Sequence, residues 1–172
     1  TKHLVFGSSI GTFTRKQAIG TKGAVSQEAT AVDRNYVYFM APDFHIYRYN
    51  GSSDEIMSVK MEPEFQSILD IKKVRLHLYR NQLRVYYNTK TDPTFNRMAI
   101  LDIESGQWFR DTGRSVVVSI DISLNDGQML EFSSRCGWIF NGETGMSDVG
   151  KAIDFKYWTN YKMYGSGIAK DR

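Results

Sequence analysis

One plan, a strand, a turn and a second strand, recurs three times along this chain at nearly constant spacing. No other feature restricts the fold as strongly. The first unit reads Asn35-Tyr36-Val37-Tyr38-Phe39-Met40 and then Phe44-His45-Ile46-Tyr47-Arg48-Tyr49-Asn50-Gly51. The second reads Asn81-Gln82-Leu83-Arg84-Val85-Tyr86-Tyr87 and then Met98-Ala99-Ile100-Leu101-Asp102-Ile103-Glu104-Ser105-Gly106. The third reads Asp126-Gly127-Gln128-Met129-Leu130-Glu131-Phe132 and then Gly137-Trp138-Ile139-Phe140-Asn141-Gly142. Asn35 and Asn81 are 46 residues apart, and Asn81 and Asp126 are 45 apart. A period in the mid-forties with four short strands per unit is the pattern of propeller blades. An earlier half-unit is expected over Leu4-Val5-Phe6 and Ile10-Gly11-Thr12-Phe13.

Side-chain alternation supports strands throughout. Val74, Leu76 and Leu78 alternate with Arg75, His77 and Tyr79, and Leu83, Val85 and Tyr87 enclose Arg84 and Tyr86. Ile153, Phe155 and Tyr157 likewise alternate with Asp154, Lys156 and Trp158. A period of two predicts one packed and one wetter face. The 10 Tyr, 10 Phe and 3 Trp suit pleated, half-buried surfaces. Asn50-Gly51, Asp126-Gly127 and Asn141-Gly142 suit the φ > 0 positions of tight hairpins. Asp33-Arg34-Asn35 and Arg80-Asn81 read as further hairpin turns. One short helix is expected over Glu62 to Asp70, after Pro63, with Phe65, Ile68 and Leu69 on one face. The fold class is therefore all-β, a propeller or partial propeller of about three to four four-stranded antiparallel blades.

The chain has 172 residues, which fits a single domain over 1–172 with its own core. At about 45 residues per blade the length holds just under four blades, whereas closed propellers have roughly four to eight. Two arrangements follow: a minimal ring, in which the leading strands and Lys151 to Tyr161 share a blade, or an arc of a larger ring. Closure would remove edge strands. The chain opens in a strand without an initiating Met, so it reads as a piece of a longer protein. No apolar run approaches the ~18 residues of a membrane span. The single cysteine, Cys136, excludes an internal disulfide framework. A net charge of +3 is too small to predict a nucleic-acid partner.

Motifs that carry chemistry are sparse. Gly7-Ser8-Ser9-Ile10-Gly11 matches G-x-S-x-G, but lacks the upstream strands and following helix of a nucleophile elbow. Asp121, Ser123, Asn125 and Asp126-Gly127 resemble the start of a calcium loop, yet the glycine falls one place late and Phe132 stands where Glu is required. His3, His45 and His77 have no short ligand spacing. Cys136 has no catalytic partner nearby. Glu62 and Glu64 are two residues apart and need a fold to place them. Asn50-Gly51-Ser52 fits a glycosylation sequon. The reading is no catalytic residue, no cofactor, no metal site, and no enzyme activity.

One charge feature stands out. From Ile71 to Thr91 there are six basic residues, Lys72, Lys73, Arg75, Arg80, Arg84 and Lys90, and no acid, interleaved with Tyr79, Tyr86 and Tyr87. Such a set can track a phosphate backbone; the favoured reading is a solvated face with tyrosines packed between blades, since exposed charges on strands are the norm.

The runs Gly23-Ala24-Val25-Ser26-Gln27, Val32-Asp33-Arg34-Asn35-Tyr36-Val37-Tyr38-Phe39 and Ile46-Tyr47-Arg48-Tyr49-Asn50-Gly51 resemble β-propeller proteins of the tailed-phage neck and tail, of the packaged-DNA stabilisation and tail nozzle types. The similarity continues through Ser58 to Ile68, through Leu101-Asp102-Ile103-Glu104-Ser105-Gly106-Gln107-Trp108 and in Ile153-Asp154-Phe155-Lys156-Tyr157-Trp158. It implies a non-enzymatic virion component, made in the host cytoplasm, forming a homo-oligomeric ring about the DNA exit channel. Its partners would be portal, adaptor or distal tail proteins, with DNA close by and no membrane. Family members are much longer than this chain. The long loop Asn88 to Asn96 is a candidate contact, and Trp108, Phe109 and Trp138 are expected between blades. The rival reading is a carbohydrate-binding or glycan-cleaving propeller of tail-spike or lectin type, using Trp158, Tyr161, Glu62 and Glu64. A third is direct DNA contact through Arg75, Arg80 and Arg84.

Overall fold

A computed structural model describes residues 3–6, 14–17, 22–33, 35–91, 97–112, 116–121, 129–133, 139–142, 147–148 and 151–152. The fold is all-β. Strands β1 (His3–Phe6) and β2 (Thr14–Gln17) pair antiparallel. The first four-stranded sheet is β3 (Thr30–Val32), β4 (Val37–Met40), β5 (Ile46–Tyr49) and β6 (Asp54–Ile56). The second is β7 (Arg75–Tyr79), β8 (Gln82–Tyr87), β9 (Arg97–Asp102) and β10 (Trp108–Thr112). A three-stranded sheet holds β11 (Val116–Asp121), β12 (Met129–Ser133) and β13 (Ile139–Gly142), and β14 (Ser147–Asp148) pairs with β15 (Lys151–Ala152). Every sheet is an antiparallel meander in which sequence neighbours are spatial neighbours, and no sheet among the described strands closes on itself.

The mid-forties repeat marks one place in each meander. Its strand pairs fall on β4–β5, β8–β9 and β12–β13, the second and third strands of three successive sheets. The expected strand over Leu4-Val5-Phe6 is β1. Ile10 to Phe13, Asp126-Gly127, Cys136 to Trp138 and Ile153 onwards lie outside the described residues.

The sheets meet through their first strands: β3 runs beside β7, and β7 beside β11. The Leu76 N–H donates to the Glu28 carbonyl at 2.9 Å just ahead of β3. Between the first and second sheets lies the main apolar core. Ala31, Tyr38, Met40 and Ile46 face Leu76, Leu83, Val85, Tyr87, Ala99 and Leu101, and Met61, Phe65 and Ile68 from the connecting segment complete it. Their common face follows from the pleat and the pairing register: Leu83 stands opposite Leu101, Val85 opposite Ala99, and Tyr38 lies beside Arg48. A smaller cluster, Phe39, Ala41, Tyr47 and Tyr49, occupies the other face of the first sheet, with Phe39 and Tyr47 stacked at 5.6 Å.

Several expectations need correction. The second sheet's expected wet face is covered over its middle. Tyr79, Arg84 and Tyr86, on the face expected to be wetter, are 4 %, 1 % and 1 % exposed because the third sheet covers them. Asn141-Gly142 is not a turn; it ends β13, where Asn141 pairs with Leu130 and Gly142 with Met129, so ladder register overrides its turn propensity. The helix is shorter than expected, Glu62–Phe65 (α1) after a 3-10 turn at Val59–Met61. It stops because the Ser67 hydroxyl takes the Glu64 carbonyl (2.6 Å) and Ile68 turns away to bridge Thr89. Leu69 consequently leaves the buried face and is 48 % exposed.

The turns at Asn50-Gly51 and Arg80-Asn81 form as expected. Gly51 sits at φ +100°, and Arg80 at φ +53° lies in the left-handed region despite its Cβ. Tyr79 pairs with Gln82, so Arg80-Asn81 is a two-residue hairpin loop. The chain also reverses between Val32 and Val37, with the Asp33 N–H donating to the Tyr36 carbonyl at 2.9 Å.

Candidate functional site

The six basic residues between Ile71 and Thr91 do not form one track. Lys72 and Lys73 are exposed on a 3-10 turn, Ile71–Lys73, whose start is capped by the Asp70 carboxylate accepting from the Lys72 N–H. Lys73 is 3.8 Å from Asp70. The half-buried Arg75 turns back on its own chain and donates to the Lys73 and Val74 carbonyls. Lys90 is exposed beyond the end of β8, with its ammonium 3.4 Å from the Gln66 carbonyl. These four sit at the Arg75–Tyr86 end of the β7–β8 hairpin. Arg80 occupies the loop at the other end, roughly 15 Å away at the rise of a strand, with its guanidinium 5.2 Å from the Tyr79 ring.

Arg84 is buried rather than presented at the surface. It is 1 % exposed and lies between the second and third sheets. Its guanidinium is 3.5 Å from the Glu131 carboxylate, itself 3 % exposed, donates to Gln82 Oε1 at 3.1 Å and stands 5.1 Å from the Tyr79 ring. The Tyr86 hydroxyl donates to the same Glu131 oxygen at 3.3 Å. On the first strands the His77 Nδ1 and Ser119 Oγ are 2.7 Å apart. Met98 and Val116 pack with Tyr86, and Ile100 lies against them. Burial, then the Glu131 charge, push the Tyr86 phenol up to about 12.

Alternation assigned Arg84 to solvent because a single strand cannot show what covers its second face. One signal was available: Arg84 and Glu131 are opposite charges in the second strands of consecutive sheets, each flanked by apolar residues. His77 and Ser119, polar residues likewise flanked by apolar ones, stand on the first strands.

A second polar cluster lies where the connector packs on the second sheet. Glu64, on α1, accepts from the Tyr87 hydroxyl at 3.0 Å and from Arg97 at 2.9 Å, and Arg110 stands 3.9 Å away. Phe65 beside it meets Tyr87 and Trp108 edge-on, both at 5.7 Å. The Trp108 indole N–H donates to the Met57 carbonyl at 3.1 Å. Burial, then the Glu64 charge, hold the Tyr87 phenol well above its ordinary range. Glu62 is exposed, and two residues apart on a helix the two carboxylates do not face each other.

Trp108 is packed as expected, whereas Phe109, on the alternate side of β10, is 57 % exposed. The loop expected as a contact is anchored at its start: Asn88 and Thr89 are buried, and only Lys90 and Thr91 are exposed before the described residues end at 91. His45 Nδ1 lies 3.4 Å from the Ser58 hydroxyl. Ser8, Cys136, Trp138, Trp158 and Tyr161 lie outside the described residues. Among the described residues no group of three or more His, Cys, Asp or Glu is placed to hold a metal ion, and no helix is long and apolar enough to cross a membrane. No protein family matches the chain, and no curated protein does.

Proposed function

We propose that this chain is an arc of a β-propeller serving as a non-enzymatic interaction module of a tailed-phage neck or tail. One observation carries the reading: two four-stranded meanders and a three-stranded one, spaced by the repeat, stack through adjacent first strands, β3 beside β7 and β7 beside β11. Blades placed radially about an axis set their innermost strands side by side in this way. The residues that resemble the phage proteins fall on corresponding parts of this framework. Val32 to Phe39 and Ile46 to Gly51 cover the first sheet's hairpins, and Leu101 to Trp108 forms the β9–β10 turn with Gly106 at φ +66°.

Rigid blades would present their loops and outer strands to neighbouring subunits, with β10 offering the exposed Phe109 and Arg110. The full-length parent should assemble into rings and bind portal or adaptor protein in sedimentation and pull-down experiments. A monomer that binds neither, and that instead binds strongly on a glycan array, would replace this reading with the carbohydrate one.

A further inference from the structure

The chain contains two Asn-Gly pairs, Asn50-Gly51 and Asn141-Gly142, and both asparagines are exposed. The structure places them in opposite backbone settings. Asn141 and Gly142 are extended in β13 and held in register against Leu130 and Met129. Asn50 and Gly51 form the β5–β6 turn, with Gly51 at φ +100° and open space where a Cβ would project. Around Asn50 the side-chain oxygen is unusually well served. Oδ1 accepts from the Ser52 N–H at 2.9 Å, the Ser53 N–H at 2.9 Å and the Ser52 hydroxyl at 3.0 Å, with the Ser53 hydroxyl at 3.4 Å.

We infer that Asn50 is a site of spontaneous deamidation, activated by this ring of donors. The Gly51 amide nitrogen bonds to Asn50 Cγ, and its proton passes through solvent to the departing amide. The Cγ–Nδ2 bond breaks and ammonia leaves, closing a succinimide. Water then opens either carbonyl of the ring, giving aspartate or isoaspartate at position 50. No oxidant or reductant takes part. As the nitrogen adds, negative charge develops on Oδ1, the atom on which the Ser52 and Ser53 donors converge. Donors preorganised around an oxygen that becomes anionic lower the barrier to its formation. Gly51 contributes by placing no side chain in the path of its own nitrogen. Asn141 has the same dipeptide but must first leave the β12–β13 ladder, and opening that ladder locally slows the reaction by about tenfold. Isoaspartate at 50 adds a main-chain carbon to the loop that sets the Tyr49–Asp54 register, so the product alters the β5–β6 hairpin.

The test is peptide mapping of the full 172-residue chain after incubation at mildly alkaline pH. Trypsin separates the two sites into peptides 49–60 and 136–151, and carboxyl methylation or resistance to an Asp-specific protease reports isoaspartate. In the folded chain Asn50 should convert at least about tenfold faster than Asn141. In urea the Asn50 rate should not rise and the two rates should converge. Ser52→Ala with Ser53→Ala should slow Asn50 several-fold in the folded chain and leave the urea rate unchanged. Equal rates at the two sites in the folded chain, an Asn50 rate that climbs on unfolding, or a double variant as fast as the parent would each overturn the inference.

Discussion

Strand β8 serves two seams of different chemistry. Leu83, Val85 and Tyr87 point into the seam with the first sheet, where their neighbours are Ala31, Met40, Ile46 and Phe65. Arg84 and Tyr86 point into the seam with the third sheet, where they meet Glu131, near the His77–Ser119 contact. Both seams are dry, with Leu83 at 0 % and Arg84 at 1 % exposure. The apolar seam is held by burial, which is non-directional and tolerates repacking of similar volume. The polar seam works differently, because taking Arg84 and Glu131 out of water consumes most of their mutual attraction. What it adds is geometry: a guanidinium, a carboxylate and a phenol come together favourably in only a few relative positions of two sheets. The first seam supplies adhesion and the second fixes how neighbouring sheets are set.

The largest effects should come from breaking either seam. Phe65→Ala removes the ring that meets Tyr87 and Trp108 and should cost about 3–5 kcal/mol in urea unfolding. Glu131→Ala removes a buried carboxylate 3.5 Å from the Arg84 guanidinium and should cost a similar ~3–5 kcal/mol. The two losses differ in their remedy. Adding Arg84→Met to Glu131→Leu should recover stability to near the parent level or above it, since apolar residues of similar volume often replace buried ion pairs without loss. If Glu131→Ala costs less than ~1 kcal/mol, water reaches the second seam and the contrast with the first collapses.

Much of the fold was legible because strand periodicity and turn chemistry are local. The repeat located a hairpin in each of the three larger sheets, and Asn50-Gly51 and Arg80-Asn81 located two turns. What local pattern lacks is the identity of the covering surface. Arg84 and Tyr86 alternate with Leu83 and Val85, which reads as a wetter face until the third sheet is laid over it. Asn141-Gly142 failed for a related reason, since β12 continues to Met129 and offers a partner that the dipeptide itself does not reveal. Glu64 was singled out as one of two nearby carboxylates, yet its partners Tyr87, Arg97 and Arg110 lie 23 or more residues away in sequence.

Alkaline pH should load phenols in both seams, Tyr87 in the first and Tyr86 in the second, and a Tyr86 variant isolates the second. The Tyr86 phenol is raised from 10.0 to about 12, first by burial and then by the Glu131 charge. Above the unfolded value, the unfolded chain releases this proton while the folded chain keeps it. The folded state then binds more protons, so stability falls as pH rises. The contribution is complete below 10.0 and disappears between there and about 12. Urea midpoints measured across that window should fall, and Tyr86→Phe should remove part of the slope. An unchanged slope in Tyr86→Phe would mean that the hydroxyl is solvated and does not belong to the seam.

The smallest effect belongs to an ion pair that resembles the buried one only in composition. Arg48 and Glu55 stand directly opposite on β5 and β6, with guanidinium–carboxylate distances of 2.6 and 3.2 Å, and Arg48 also lies 4.7 Å from the Tyr36 ring. The Glu55 side chain is 59 % exposed, so water screens the pair even though the Arg48 side chain is only 24 % exposed. Glu55→Gln should cost about 0.2–1 kcal/mol at low salt, and the loss should shrink as ionic strength rises past the ~10 Å Debye length of 0.1 M salt. The penalty of Glu131→Ala should stay nearly constant over the same range, because buried charges are screened much less. Equal salt sensitivity at the two sites would place both pairs in solvent, leaving the apolar seam as the sole dry contact of the second sheet.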